Sequence, residues 1–250
     1  MKTKRTAIIL IAVAFMMVVI LSTVGLFSVK KVHVDFEVSA ERDVSDVKES
    51  LNSFVGVNLL FFDTDRVFEK LKEENYLEVV SVDKQFPNVV NVKIKERRAI
   101  YYVKNQEEYY LMTADGFVLD KSQNSPVSRD RIGLLLEGVT LESVNLGETL
   151  KTSDDTLMQK VFAMAKSVNL TDCIKTITVK KMASEQPDVI FETYTGVKIE
   201  VSKADDLGVE KVVAGFNAYD NRAEDYEKMF SIIKVFKNSN GQIEVDWSEN

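Results

Sequence analysis

The chain has 250 residues, with 32 Lys and Arg against 39 Asp and Glu, a formal net charge of −7, one cysteine and one histidine. Nucleic-acid phosphates need compensating basic side chains, so this acidic balance argues against a nucleic-acid partner. Cys173 cannot form an internal disulfide, and a single Cys with a single His argues against a Cys/His zinc site or a Cys–His catalytic pair.

The first predicted element is a long apolar segment over residues 7–29. It contains no charged residue and no proline, and basic residues flank it on both sides. As a helix rising about 1.5 Å per residue, it would be about 35 Å long, enough to cross a hydrocarbon core of about 30 Å. We therefore predict a single transmembrane helix over residues 7–29, preceded by a cytoplasmic head of residues 1–6.

A cleavable signal peptide is the alternative for this segment. Its apolar core would span about 7–15 residues and end at a small-residue cleavage site. This segment is longer and ends in Phe27, Val29 and two lysines, although Ser22, Thr23 and Gly25 keep cleavage open. A short basic head before a large domain favours a cytoplasmic N-terminus and an extracytoplasmic remainder. Without the five flanking basic residues the balance is 27 Lys and Arg against 39 Asp and Glu, which argues against docking on anionic headgroups.

Hydrophobic periodicity predicts a first folded unit over residues 32–103, in the order strand, helix, helix, strand, strand. VHVDFEV alternates apolar and polar residues, as a half-buried strand does. Two segments with apolar residues every three or four positions follow, and then the strands LEVVSVDKQF and VVNVKIK around a turn at Pro87. Phe61, Phe62 and Phe68 are predicted to be core residues.

The order and spacing of several motifs in this unit resemble the polypeptide-transport-associated (POTRA) module of the FtsQ/DivIB family of bacterial cell-division proteins. In chain order, the motifs are residues 58–61 (NLLF), 76–77 (YL), 82–87 (VDKQFP), 92–99 (VKIKERRA) and 115–116 (DG). Family members usually carry a proline where this chain has Arg98.

The second predicted unit, residues 104–250, is a β domain with helices, which resembles the family more loosely. A capping box at residues 152–155 opens a helix, and the strands CIKTITVK, DVIFET and VKIEVS imply an antiparallel sheet with helices on one face. Residues 210–236 have helical spacing with a break around Asp220-Asn221, and QIEVDW is a last strand after a turn at Asn240-Gly241. The predicted fold class is α+β: a single N-terminal transmembrane helix, a POTRA-like β-α-α-β-β domain, and a mixed α/β domain with a largely antiparallel sheet.

In the family that the chain resembles, the partner FtsB/DivIC pairs its backbone with the terminal strand region of the β domain. The resemblance therefore implies a partner-binding site formed by the following residues of the last strand and the preceding helix: Tyr226, Met229, Ile233, Gln242, Ile243, Glu244, Val245, Asp246 and Trp247. An unpaired edge strand offers a row of N–H and C=O groups. The alternative is that this strand only completes the sheet.

A second candidate surface is basic and lies at the end of a POTRA strand. It consists of Lys93, Lys95, Arg97 and Arg98. These side chains could bind an acidic partner, and a solvated strand face explains them as well.

No motif in the sequence points to catalysis. Phosphate-binding loops, dinucleotide fingerprints, H-E-x-x-H and EF-hand patterns are absent, so we expect no enzyme, no metal and no cofactor. The resemblance implies a non-catalytic scaffold at the division septum that binds FtsB/DivIC-like and FtsL-like single-pass proteins, with a septal peptidoglycan synthase as a further partner. The alternative is a membrane-anchored envelope enzyme or ligand-binding domain unrelated to division, which predicts a deep pocket with converging carboxylates.

Overall fold

In the computed structural model, the chain forms two compact units that divide between Arg97 and Arg98. Each unit has its own sheet and its own hydrophobic core. The structure describes residues 10–18, 24–37, 43–124, 133–168, 173–181, 186–204, 207–221 and 231–249.

Part of the predicted transmembrane segment lies within the described residues. Residues 10–18 and 24–26 are helical, and their large apolar side chains are exposed. Residues 1–9, which include the predicted cytoplasmic head, and residues 19–23 lie outside the described residues. Among the helices that the structure describes, none has the length and apolar character needed to cross a membrane.

The first unit has the predicted β-α-α-β-β order. Its elements are β1 (Lys31–Glu37), α1 (Ser45–Asn52), a 3-10 turn (Leu59–Phe61), α2 (Asp65–Lys70), β2 (Leu77–Gln85) and β3 (Val89–Glu96). β3 is the central strand, parallel to β1 and antiparallel to β2. Along each strand, apolar residues that alternate with exposed polar ones point into the core. Both helices pack on that face of the sheet.

The predicted core position is right for Phe62 and wrong for Phe61 and Phe68. Phe62 is buried against Phe54, with ring centroids 5.4 Å apart. Phe61 and Phe68 are exposed. Leu59 and Val67 fill the inward positions of the 3-10 turn and α2, and the helical spacing of these two elements turns Phe61 and Phe68 away from the core.

The second unit is a mixed nine-stranded sheet with two helices on one face. Its elements are β4 (Tyr101–Asn105), β5 (Glu108–Met112), β6 (Val118–Ser122), β7 (Leu134–Glu137), β8 (Leu141–Ser143), β9 (Lys151–Thr152), α3 (Asp155–Ser167), β10 (Ile174–Lys180), β11 (Asp188–Thr193), β12 (Lys198–Val201), α4 (Gly208–Asp220), β13 (Ser231–Lys237) and β14 (Ile243–Glu249). The strand order is β14-β13-β12-β11-β10-β7-β4-β5-β6, and β8 pairs with β9 separately. Five of the eight neighbouring pairs are antiparallel, which confirms a largely antiparallel sheet.

The two helices pack on the same face of this sheet. At the start of α3 one bond of the predicted capping box is present, because Asp155 Oδ1 accepts the Thr152 N–H at 2.9 Å. The N-cap residue, however, is Asp154, whose side chain accepts the Leu157 N–H at 2.9 Å. Phe162 of α3 stacks on Tyr101 of β4 at 5.1 Å between ring centroids. In α4 the chain has Gly215, where a Cβ atom would lie only 2.6 Å from Ile199 Cγ2. α4 therefore lies directly on β12.

Two sequence-based boundaries differ from the structure. The first unit ends at Arg97 rather than at residue 103, because β4 pairs with β5 and β7 of the second sheet. The helix ends at Asp220, where a break was predicted, but residues 231–237, which were predicted to be helical, form β13. SIIKVFK buries alternate residues and runs parallel to β12, so its β-branched side chains fit a pleated sheet.

Lys211 is a buried cation that connects α4 to the end of β12. Its side chain is almost fully buried, and Nζ donates to the carbonyl oxygens of Ser202 at 2.9 Å and Lys203 at 3.0 Å. We expect Lys211→Met to lower the free energy of unfolding by about 1–3 kcal/mol, because both carbonyls lose a buried donor. Urea unfolding followed by the fluorescence of Trp247, the only tryptophan, measures the change. The same substitution at exposed Lys166 of α3 is the control and should have little effect.

Glu108 accepts charge-assisted hydrogen bonds on the β5–β6 side of the sheet. Lys121 Nζ donates to it at 3.0 Å and the Tyr110 hydroxyl at 3.1 Å, and these bonds hold the pKa of the Glu108 carboxyl below its ordinary value. A lowered carboxyl pKa stabilises the fold above the ordinary value, and the contribution is lost as pH falls through the folded-state pKa. We expect Lys121→Ala to raise the pKa of Glu108 towards 4.5, as measured by carbon NMR titration; an unchanged pKa would rule out Lys121 as the main cause.

Candidate partner-binding site

The last strand, β14, lies at one edge of the nine-stranded sheet. β13 pairs with it along its whole length, from Lys237 opposite Ile243 to Ser231 opposite Glu249. Among the strands that the structure describes, none pairs with its other side. The position of β14 thus meets the geometric condition for adding a strand.

The hairpin between β13 and β14 determines which backbone groups of β14 face outwards. The Asn238 N–H donates to the Gln242 carbonyl at 2.9 Å, and the Gly241 N–H donates to the Asn238 carbonyl at 3.0 Å. Gly241 has φ +83°, so the loop is a type I turn closed by a glycine bulge.

Hydrogen-bonded and non-hydrogen-bonded pairs alternate along an antiparallel ladder. Since Asn238 bonds to Gln242, the next bonded pairs are Phe236 with Glu244 and Lys234 with Asp246. Ile243 and Val245 lie in the intervening pairs. Their backbone N–H and C=O groups therefore point away from β13, towards the open side.

The two faces of β14 differ in chemistry. Ile243, Val245 and Trp247 share a face with buried residues of β13, and Ile243 and Trp247 pack against the core. Val245 is 36% exposed. Glu244 and Asp246 are exposed on the other face, where Asn238 Nδ2 donates to Glu244 Oε1 at 2.6 Å. The edge is therefore apolar on the helix side and acidic on the opposite side.

The structure brings together only part of the predicted site. Ile243 to Trp247 form the edge strand, and Gln242 lies next to them with its N–H and C=O bonded to Asn238. Ile233 is on a strand rather than on a helix, and its side chain is 0% exposed and belongs to the core. Tyr226 and Met229 lie outside the described residues.

The basic residues at the end of β3 do not form an isolated positive patch. Lys93 and Lys95 are exposed, and acidic residues oppose both: Asp35 is opposite Lys93, and Glu37 and Glu78 flank Lys95. Lys93 Nζ also lies 3.8 Å from Glu37 Oε2. The solvated face of β3 is therefore close to charge balance.

Arg97 and Arg98 lie beyond the end of β3. The Arg97 guanidinium donates to the Leu77 carbonyl at 2.5 Å and to the Asn75 carbonyl at 3.3 Å. These bonds hold the end of the first unit to the start of β2. Arg98 is exposed and begins the second unit.

Two cavities in the described part of the chain bear on the enzyme alternative. One lies between the end of β7 and the start of α3, and Asp154 is its single carboxylate. The other is an open groove beside α2, in which Glu69 is the single carboxylate. Neither cavity has two carboxylates that converge.

The outward direction of the Ile243 and Val245 backbone could not be read from the alternation of IEVDW alone. Alternation gives the side-chain faces, whereas the hydrogen-bonding side depends on the register. The signal that could have given the register is the Asn240-Gly241 pair, because glycine in a bulge fixes which residues pair.

The first unit matches a family of known protein domains. Residues 27–97 match the family model described as "POTRA domain, FtsQ-type". The match starts at the last three residues of the N-terminal apolar segment and ends at the boundary between the two units.

The relatives are cell-division proteins of clostridia. "Cell division protein DivIB" of Clostridium botulinum (strain Hall) is 20% identical over 209 residues, which cover 82% of this chain and 78% of that protein. "Cell division protein DivIB" of Clostridium tetani is 26% identical over 124 residues, which cover 50% of this chain and 45% of that protein.

Among solved structures, the major extracytoplasmic domain of DivIB from Geobacillus stearothermophilus matches 52% of this chain and 98% of that chain, at 15% identity and a TM-score of 0.30. The family model and the curated relatives agree with the motifs of the first unit. With a match to the FtsQ-type POTRA domain at residues 27–97 and DivIB proteins among its relatives, the chain is similar to proteins of the FtsQ/DivIB family.

Proposed function

We propose that the chain is a non-catalytic, membrane-anchored scaffold of the bacterial divisome, which binds FtsB/DivIC-like and FtsL-like partners to assemble and regulate septal cell-wall synthesis. The observation that carries the proposal is the edge position of β14, with the backbone groups of Ile243 and Val245 directed outwards. The family relationship supports a role in division.

The partner would add a strand beside β14. Its backbone would bond to the outward groups of Ile243 and Val245, and alternate side chains would give specificity. On the helix side, the added strand would extend an apolar face that already includes Trp247. On the other face, basic side chains would match Glu244 and Asp246.

The remaining predicted contacts have smaller roles in this proposal. Tyr226 and Met229 are candidate contacts that precede β13 in sequence. Lys93 and Lys95 form a secondary surface for an acidic segment. Arg97 stabilises the first unit through its hydrogen bonds, and Ile233 is buried in the core of the second.

Membrane anchoring is the second part of the proposal. Residues 7–29 would form a single span with the N-terminus in the cytoplasm and both units outside it. Partners with their own single spans would then meet this chain within one membrane. Such confinement raises their effective concentration, so each contact can be weak and the assembly still forms. A septal peptidoglycan synthase would be a further partner of the assembly.

Localisation tests the division role. A fluorescent fusion of the full chain should gather at midcell in dividing cells of its own organism. The signal should appear there before constriction is complete. A uniform distribution around the cell at all stages would overturn the proposed role.

A further inference from the structure

One end of the first unit exposes aromatic side chains that its core does not use. Phe61 is 85% exposed and Phe86 is 57% exposed, and Leu60 beside them is also exposed. Two large aromatic rings left in solvent at one end of a small domain form a patch of the kind that contacts another surface.

This patch lies where the N-terminal helical residues join the unit. The Leu59 N–H donates to the Phe27 carbonyl at 2.6 Å, and Ser28 forms an isolated β-bridge with Asn58. The rings of Phe27 and Phe86 meet edge to face, with centroids 6.1 Å apart. The 3-10 turn that carries Phe61 and the β2–β3 turn that carries Phe86 therefore both contact the chain directly after helical residues 24–26.

The surroundings of the patch are apolar on one side and basic on the other. Val24 and Leu26 are exposed apolar residues immediately before Phe27. Lys30 and Lys31, three and four residues after Phe27, are also exposed, and the Lys30 N–H donates to the Asn88 carbonyl in the β2–β3 turn at 2.9 Å. Apolar, aromatic and basic residues thus follow one another over a few positions, which is the order found where a chain leaves a bilayer.

We propose that Leu60, Phe61 and Phe86 insert into the interfacial layer of the bilayer that holds residues 7–29. This proposal rests on the membrane anchor proposed above. Exposed Phe and Leu side chains gain free energy when their apolar area is buried at the boundary between headgroups and acyl chains, and a domain already tethered there loses little further freedom when its end docks. The overall acidity of the extracytoplasmic part does not oppose the contact, because the docking end presents apolar rings and two lysines.

Docking of this end would orient the first unit. β1 starts at Lys31 beside the membrane and ends at Glu37, and β3 runs parallel to it. At about 3.3 Å per residue, the far end of the sheet would stand about 20 Å above the interface. Lys95 pairs with Glu37 at that far end.

Depth-dependent fluorescence quenching of the full chain in lipid vesicles tests the docking. Cys173 is replaced by serine, and a single cysteine at Phe61, Phe86, Lys95 or Phe15 carries an environment-sensitive nitrobenzoxadiazole label. The vesicles contain phosphatidylcholine with a nitroxide quencher just below the headgroups. Phe61 and Lys95 are both exposed, so labelling either position should preserve the fold.

We expect severalfold stronger quenching at positions 61 and 86 than at 95, together with strong quenching at position 15. Quenching at 15 with 61 no different from 95 would overturn the docking and leave the anchor standing. Equal strong quenching at 61, 86 and 95 would also overturn it, since the unit would then lie flat on the membrane. Absence of quenching at 15 would overturn the anchor and, with it, the docking.

Discussion

Replacing Val245 with proline is expected to weaken binding of the FtsB/DivIC-like partner by at least about tenfold, which corresponds to about 1.4 kcal/mol. The Val245 N–H points away from β13, so proline removes a donor to the incoming strand and no bond of the hairpin. Proline is tolerated on an edge strand when its nitrogen faces solvent. Co-purification of the full chain with its partner measures the loss.

Two further variants separate backbone pairing from other effects. Val245→Ala keeps the N–H and removes most of the side chain, so it should retain more binding than Val245→Pro. Glu244→Pro removes a bond to Phe236 of β13 and should destabilise the hairpin itself, seen as a shift in Trp247 fluorescence. Full partner binding by Val245→Pro would show that β14 is not the docking strand.

Replacing Gly138 with alanine is expected to lower the free energy of unfolding of the second unit by about 3 kcal/mol or more. Gly138 follows β7 with φ +75°, and a Cβ atom there would lie 2.0 Å from the Val179 carbonyl oxygen on β10. β7 and β10 are neighbours in the middle of the sheet. An added methyl group must therefore separate two central strands.

Gly241→Ala is the matched control for this effect. Gly241 also has a positive φ, +83°, but the nearest atom to its Cβ would be Lys237 Cε at 3.4 Å. The control should show only the conformational cost, about 1–2 kcal/mol. Urea unfolding monitored by Trp247 compares the two variants, and equal destabilisation would show that the contact with Val179 is not the cause.

The fold could be predicted from the sequence where the local pattern had only one interpretation. The alternation of VHVDFEV and of VVNVKIK predicted β1 and β3, and Thr152 with Asp155 predicted the start of α3. The apolar positions of SIIKVFK fit a helical period as well as a strand. Its assignment is decided by pairing with β12, which lies about 30 residues earlier and gives no local signal.

For the candidate site, the sequence predicted which residues form the edge strand but not which of their backbone groups point outwards. The edge strand and its residues followed from the family resemblance, but the outward groups of Ile243 and Val245 depend on the bulge at Gly241. The exposure of Phe61 was missed for a related reason. Adjacent apolar residues compete for one inward position in a short turn, and the packing of Leu59 and Phe62 determines which of them is left outside.

Backbone hydrogen exchange in β14, with and without the FtsB/DivIC-like partner, tests strand addition most directly. We predict that partner binding slows exchange at Ile243 and Val245 much more than at Glu244 and Asp246, whose amides already bond to β13. Stable binding of the partner with unchanged exchange at Ile243 and Val245 would contradict strand addition at this edge.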